Sequence, residues 1–335
     1  HWRMIEGSTA ATIDSKGYAV EKGRMAVEDA LKRRGVKAKV TVHPRVPYYL
    51  VRYEYETEPM VSIIIPTKDY ADVTEQCLKS LFEKTTYKNY EVILMNNNSE
   101  KKETFDLFKK YQNKYSNFRV IDANYEFNYS KINNQAVKEA KGEYIVLLNN
   151  DTEIITPHWL QIMVGYAMQP HIGAVGTKLL YPDNTVQHAG IILGIGGIAQ
   201  HCFIDNPRDD VGFYGRLSVP FNYSAVTAAC LMVSKEKYLE VNGLEEDLQV
   251  AFNDVDFNLK LLKQGYYNIC LNHVELYHHE SKSRGDDTVD TSSAKYRRFV
   301  QEHDYIKDKW GYMLYNDRFY NLNLSLKKAF VLDKE

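Results

Sequence analysis

Four cysteines, Cys77, Cys202, Cys230 and Cys270, stand far apart in 335 residues, with no CxxC pair. That spacing excludes a zinc cluster and a disulfide scaffold and fits a reducing compartment, so a cytoplasmic location is expected. Charge of one sign is also missing: the formal net charge is −2, which removes a whole-chain electrostatic case for nucleic acid. No apolar run approaches the ~20 residues that cross a bilayer. The nearest, IILGIGGIA at 191–199, is short and broken by glycine. Absent too are a GxGxxG after the first strand of the central region and a P-loop lysine motif, so neither a dinucleotide site nor a P-loop phosphate site is expected. No internal repeat or low-complexity tract is visible.

What is present is ordinary in bulk and patterned in detail. Hydrophobic residues make up 44% and charged residues 26%, a globular balance, in a length that suits one large or two modest domains. Tyrosine is abundant at 26 copies, a bias found where sugars and flat polar ligands are held. Lys32, Arg33, Arg34, Lys37 and Lys39 close a predicted helix over 17–34 that stops at Gly35. Cations at a helix C-terminus are locally favourable, and the same cluster suits acidic phospholipid. Residues 40–55 read as strand interrupted by Pro44 and Pro47, hence an edge or a connecting ribbon. From Val61 onward strands and helices alternate: VSIII at 61–65, a helix over 73–82, EVILM at 91–95, a helix over 103–111, RVIDA at 119–123, a helix over 131–140, and the apolar run 144–148. This order with short links predicts an α/β fold on a parallel, doubly wound sheet. Further on, 174–181 and 225–234 are strand-like, and 253–264 is a helix closed by Gly265. The expected division is a linker over 1–57, a main domain over 58–285, and a polar, tyrosine-rich extension over 286–335 that packs on it through a helix at 294–309.

Each predicted parallel strand ends in polar residues: Pro66, Thr67, Lys68 and Asp69, then Asn96, Asn97, Asn98 and Ser99, then Asn149, Asn150 and Asp151. One such end is an Asx turn or a cap. Three in one sheet suggest a crevice, because ligands sit beyond the carboxyl ends of parallel strands. Amides and carboxylates there suit a base, a ribose and a diphosphate, and without a P-loop lysine the phosphates call for a divalent cation. In AFNDVDFNLKLLKQGY (251–266), Val255, Leu259 and Leu262 make an apolar helical stripe. Asn253 and Asp254 then fall in the first turn, where Asp254 is either a cap or a reacting group. Trp159, just after Thr156-Pro157, is a core residue or a platform for a sugar ring.

The order PTKD, NNNS, LLNNDTE, FNDVDFNLKLLKQGY and ELYHHES, over about residues 59–284, resembles the family 2 glycosyltransferases of the GT-A fold. That resemblance implies a Rossmann-like, mostly parallel sheet flanked by helices, with the N-terminal helix and strands as a linker and a helical C-terminal tail. By the same resemblance, Asn149-x-Asp151 stands where the family has its Asp-x-Asp motif, so Asp151 becomes the metal-binding carboxylate and Asn149 and Asn150 lie along the nucleotide sugar. Pro66, Thr67, Asp69, Asn96 and Asn97 fall to the nucleotide, although the family more often has Asp where this chain has Asn96. Asp254 takes the place of the catalytic base, with Asn253 where the family has Glu and Asp256 supporting the acceptor or the helix. His278 or His279 ligates the metal, Lys282 and Arg284 contact phosphate oxygens, and His188, beside Gln187 and Gly190, touches the donor sugar or the acceptor.

The activity so implied is inverting transfer of a sugar from a UDP- or dTDP-sugar, with Mn²⁺ or Mg²⁺ as cofactor, to a glycan or lipid-linked saccharide. The product would be O-antigen, capsule or cell-wall glycan, made on the cytoplasmic side and peripherally at the membrane, with no nucleic acid involved. HWRMIEGSTA (1–10) is similar to the closing tail of another domain of this family, which leads to the expectation of additional transferase domains in a longer parent chain. The rival from another class is a catalytically silent glycan-binding or scaffold module, because Asn96, Asn149 and Asn253 replace frequent carboxylates. A nucleotidyltransferase is disfavoured, since PTKDYADV lacks a glycine-rich basic loop.

Overall fold

The run VSIIIPT forms strand β3 (Val61–Thr67), buried at every position, as befits a central strand covered on both faces. A computed structural model describes residues 17–279 and 292–332 of the chain. The segment 1–10 and the predicted phosphate contacts Lys282 and Arg284 lie outside the described residues. Ahead of β3 come helix α1 (Gly17–Arg33) and strands β1 (Ala38–Val42) and β2 (Tyr49–Tyr53). These two strands pair antiparallel as a separate ribbon, with Pro44 and Pro47 in the connection where no ladder hydrogen bond is lost.

After β3 the chain runs through α2 (Ala71–Lys84), β4 (Tyr90–Asn96), α3 (Lys102–Lys114), β5 (Phe118–Asp122), α4 (Tyr129–Glu139), β6 (Tyr144–Leu148), β7 (Thr152–Ile154), α5 (Trp159–Ala167) and β8 (Ile172–Leu180). Three short strands follow, β9 (Val186–His188), β10 (Ile191–Leu193) and β11 (Ala199–His201), then β12 (Pro220–Tyr223), β13 (Cys230–Ser234), α6 (Lys235–Glu240), α7 (Asn253–Lys263), β14 (Tyr267–His278) and α8 (Ala294–Leu314). The main sheet has the order β12-β14-β8-β13-β6-β3-β4-β5, with β7 and β9 pairing off its path. β3, β4, β5, β6, β8 and β14 all point one way, and β12 and β13 run against them. The sheet is therefore mostly parallel, and the antiparallel β13 joins its two parallel blocks.

Side chains alternate along each strand between two apolar layers. Val61, Ile63 and Ile65 face the layer made with α2, α3 and α5, whereas Ile64 faces the layer made with α4, α6 and α7. Trp159 is wholly buried in the first layer and donates through Nε1 to Thr85 Oγ1 at 3.0 Å, so it is a core residue and no sugar platform. A third cluster joins Val255, Leu259 and Leu262 of α7 to Ile306, Trp310 and Leu314 of α8. Hence α7 lies between the sheet and α8, and the predicted apolar stripe is its outer face. Among the described residues no helix is long and apolar enough to cross a membrane.

The sequence reading of 225–234 as one strand needs correction, because only Cys230–Ser234 is strand. The apolar residues before it form a turn whose main chain is satisfied by side chains. Asn258 bonds both the N–H and the carbonyl of Val226, and Asp254 accepts from the N–H of Ala228. The turn lies hard against β8 at Gly176, where a Cβ would come within 2.6 Å of the Val226 Cβ. Only glycine admits that approach.

Candidate active site

The carboxyl ends of β3, β4 and β6, the turn 227–229, the first turn of α7 and the end of β14 enclose a cleft of about 670 Å³. Of the residues singled out from the sequence, Pro66, Thr67, Asp69, Asn97, Asn149, Asn150, Asp151, Asp254 and His278 line it. Asn96, His188, Asp256 and His279 do not line it.

On the β3–β4 side, Asp69 has φ 52° and turns its Oδ1 onto the backbone N–H groups of Glu100 and Lys101, both at 3.0 Å, at the start of α3. Burial pushes this carboxyl up, but those N–H groups outweigh it and hold it below the usual carboxylate range. Asn97 spends its NH2 on the carbonyls of Ala123 and Tyr125, so only its oxygen is left to accept from a ligand. Asn96 instead donates to Asp122 and accepts from the N–H of Ser99, which fixes the turn after β4 and keeps its side chain out of the cleft. Asn150 ties the turn after β6 to its neighbours, donating to the hydroxyls of Thr67 and Thr74 at 3.2 and 3.1 Å.

The end of β14 separates the two histidines, since successive strand residues point to opposite sides. His278 turns in. Its Nδ1 lies 2.6 Å from Gln187 Oε1, an atom that can only accept, so Nδ1 carries the proton and Nε2 has a free lone pair when the ring is neutral. That Nε2 lies 3.1 Å from Asp151 Oδ1 and 3.2 Å from Asn149 Nδ2. Burial pushes the Asp151 carboxyl up, yet its contacts with the His278 ring, when that ring is protonated, outweigh this and hold it below its usual range. Asp151 Oδ1 is buried and makes no geometrically sound hydrogen bond. His279 turns out beside α2, near Gln76 and Glu153, and only its backbone N–H reaches back to the Asp151 carbonyl.

This donor set fits a hard divalent cation. Two ligands on adjacent corners of an octahedron, each ~2.1 Å from the ion, sit about 3.0 Å apart, against 3.1 Å here. The bond from Gln187 to Nδ1 is the outer-shell support that metal-binding histidines usually have. Among the described residues, no group of three or more His, Cys, Asp or Glu converges on a metal position.

Across the cleft, Asp254 is half-buried in the first turn of α7, its Oδ2 accepting from the N–H of Ala228 at 3.2 Å. Asp256, two residues on, points the opposite way. It is fully buried and meets Trp310 Nε1 at 2.8 Å and Lys309 Nζ at 2.9 Å on α8. His188 lies beneath the turn 227–229, wholly buried and edge-on to His201. Burial is the main reason its pKa falls well below the usual value, so it is a neutral support for the cleft floor. Sequence reasoning passed over Tyr70, Lys101, Phe127, Tyr129 and Thr227, all of which line the cleft. Lys101 sits over the Tyr70 ring at 5.5 Å, and Tyr129 donates to the Ala228 carbonyl at 3.1 Å. Only Tyr70 belongs to a quoted stretch, PTKDYADV; their common signal is position, one to five residues past a strand end or at a helix start.

Residues 62–213 match the family described as Glycosyl transferase family 2. The chain carries a family 2 glycosyltransferase domain. The chain is 41% identical, over 98% of its length, to 36% of the uncharacterized protein y4gI of Sinorhizobium fredii (strain NBRC 101917 / NGR234). It is 39% identical, over 85% of its length, to 22% of the O-antigen biosynthesis protein RfbC of Myxococcus xanthus. It thus spans about a third of the first relative and about a fifth of the second. The mannosyltransferase PcManGT from Pyrobaculum calidifontis, solved in complex with GDP-Man and Mn²⁺, superimposes with a TM-score of 0.55 at 18% identity, over 87% of this chain and 72% of that one. The architecture is the GT-A fold.

Proposed function

We propose that the cleft moves a sugar from a nucleoside-diphosphate sugar to a glycan hydroxyl with inversion at the anomeric carbon. The observation that carries the reading is a single cleft that holds Asp254 and, facing it, Asp151 paired with a His278 whose Nδ1 is already engaged. Pro66, Thr67, Asp69 and Asn97 form the wall for the nucleoside, with Asn149 and Asn150 between it and the sugar. Asp151 and His278 hold Mn²⁺ or Mg²⁺, which when bound neutralises charge on the departing diphosphate. Lys68 and Lys101 line the same cleft and add positive charge, and Lys282 and Arg284 are the further phosphate contacts in this reading.

Asp254 accepts the proton of the acceptor hydroxyl. The hydroxyl oxygen bonds to the anomeric carbon as the bond from that carbon to the diphosphate oxygen breaks, and the electron pair leaves with the diphosphate. One displacement inverts the configuration. UDP and dTDP are the first candidate bases, and GDP joins them because PcManGT was solved with GDP-Man. Likeness to an O-antigen biosynthesis protein supports a surface polysaccharide as product, a glycan or lipid-linked saccharide as acceptor, and work at the cytoplasmic face of a membrane.

A silent binding module gains no support from the three asparagines. Asn96 fixes a turn, Asn253 donates to the Val250 carbonyl, and Asn149 meets the ring of His278. The test is calorimetry with UDP, dTDP and GDP, each with and without Mn²⁺, followed by transfer assays on Asp254→Asn. One nucleotide is expected to bind only with metal, and the variant to bind it as the wild type does while turnover falls about 10²–10⁴-fold. No binding under any condition, or full turnover by Asp254→Asn, overturns the reading.

A further inference from the structure

Glu302 of α8 is buried, at 2% exposure, and among the described residues the cation paired with it is Arg298, whose Nε at 3.8 Å is too far for a hydrogen bond. Its carboxylate is taken up by main chain instead. The N–H groups of Gln249 and Val250 donate to Oε1 at 2.8 and 3.1 Å, and that of Ala251 donates to Oε2 at 2.7 Å. Three successive N–H groups turned to one point make an anion-binding nest. Here the anion comes from the chain itself, on a helix more than fifty residues further on. The carbonyl edge of the same loop is laced to the start of α4: Ser130 Oγ donates to Leu248, the Tyr129 N–H to Gln249, and Asn128 Nδ2 to Glu246.

The loop leads straight into the site. Val250 lines the cleft, Phe252 caps α7 with φ 58°, and Asn253 and Asp254 follow. A bulky residue in the left-handed region persists only where its surroundings over-determine it. We propose that Glu302 is a positioning residue that holds the loop 249–252 and thereby fixes the carboxylate of Asp254 for transfer, from outside the cleft. This rests on the reading of Asp254 as the base.

Overall stability is a poor explanation for this carboxylate. Burial outweighs the three N–H groups and raises the Glu302 pKa above its usual value. The folded chain then holds the proton more tightly than the unfolded one, so ionising Glu302 lowers stability as pH rises between the two pKa values. A buried ion kept at such a cost is better explained by the geometry it imposes. A glutamine in its place offers one oxygen and turns an NH2 against the remaining amide.

The test uses the whole chain as wild type, Glu302→Gln and Glu302→Asp. Hydrogen exchange is read at the amides of Gln249, Val250 and Ala251, and kcat and KM are measured for the donor identified by the nucleotide titrations. Glu302→Gln is expected to quicken exchange at the three amides at least tenfold. Its kcat is expected to fall about 10²-fold, the cost of a ~1 Å misplacement of a reacting group, with donor KM within twofold. Glu302→Asp keeps the charge and is expected to fall between the two. Normal kcat in Glu302→Gln despite faster exchange overturns the proposal, and so does unchanged exchange. A parallel loss of kcat, donor binding and thermal stability makes Glu302 a structural residue only and also overturns it. Exchange of the three wild-type amides at the rate of an unstructured chain does so without any variant. A wild type that binds nucleotide and transfers nothing defeats the transferase reading, while the exchange measurement still decides the clamp.

Discussion

Replacing Gln187 by leucine removes its side-chain amide and little volume, and it tests the support behind His278, the proposed metal ligand. Gln187 is 2% exposed, and its Oε1 holds the Nδ1–H of His278 at 2.6 Å. Without it the buried N–H loses its partner, a penalty of about 1–3 kcal/mol, and the ring loses the bond that selects its tautomer. Loss of an outer-shell partner typically lowers metal affinity about 10–100-fold, which is about 1.4–2.8 kcal/mol. Mn²⁺ titrated calorimetrically into each protein, with the preferred nucleoside diphosphate present, is therefore expected to show affinity lower by about 10–100-fold, and the melting temperature in EDTA is expected to fall by the few degrees that a loss of about 1–3 kcal/mol implies. Wild-type Mn²⁺ affinity in a folded Gln187→Leu protein would refute the assignment of His278 Nε2 as a ligand, since a ring free to turn would no longer present it.

Two further outcomes can be stated. Asp151 has a folded pKa below its usual value of 3.8. It contributes stability above that value, which is lost as pH falls through the lowered one. Asp151→Asn is thus expected to flatten the acid limb of urea midpoints measured without metal below pH 4, and an unchanged limb would contradict this. Gly176→Ala places a Cβ 2.6 Å from that of Val226, and overpacking of this kind costs about 1–3 kcal/mol. The displaced turn carries the wall of the cleft, so nucleotide affinity is expected to fall along with the denaturation midpoint, and an unaltered midpoint would count against the close approach.

The strand ends were legible because apolar runs stop abruptly at polar residues, and a parallel sheet brings its carboxyl ends together. That logic located Asp69, Asn97 and Asp151 before any coordinates. It did not separate His278 from His279, because the choice depends on which face of β14 meets the cleft, and the pairing of β14 with β7 and β8 decides that. Asp256 could have been set aside from the sequence alone. Residues two apart on a helix lie about 200° apart, so a helix that turns Asp254 to the cleft turns Asp256 away. Asn96 was misplaced for a subtler reason: its amide is consumed by Asp122 and Ser99, neighbours that no strand-end argument brings in. The turn 225–229 looked like strand because it is apolar, and only the side chains of Asn258 and Asp254, brought up by α7, satisfy its main chain in another shape.

The sandwiching of α7 between sheet and α8 bears on where this chain can be cut. The residues that match the family stop at 213, and the recognisable motifs at about 284. A piece trimmed at 213 would lack α7 altogether, and one trimmed at about 284 would strip the cover from Val255, Leu259 and Leu262 and deprive Asp256 of Trp310 and Lys309. The smallest transplantable module accordingly includes α8. In exchanges of such modules between larger chains, the joint belongs beyond Leu314, so that α7 travels with the helix that covers it.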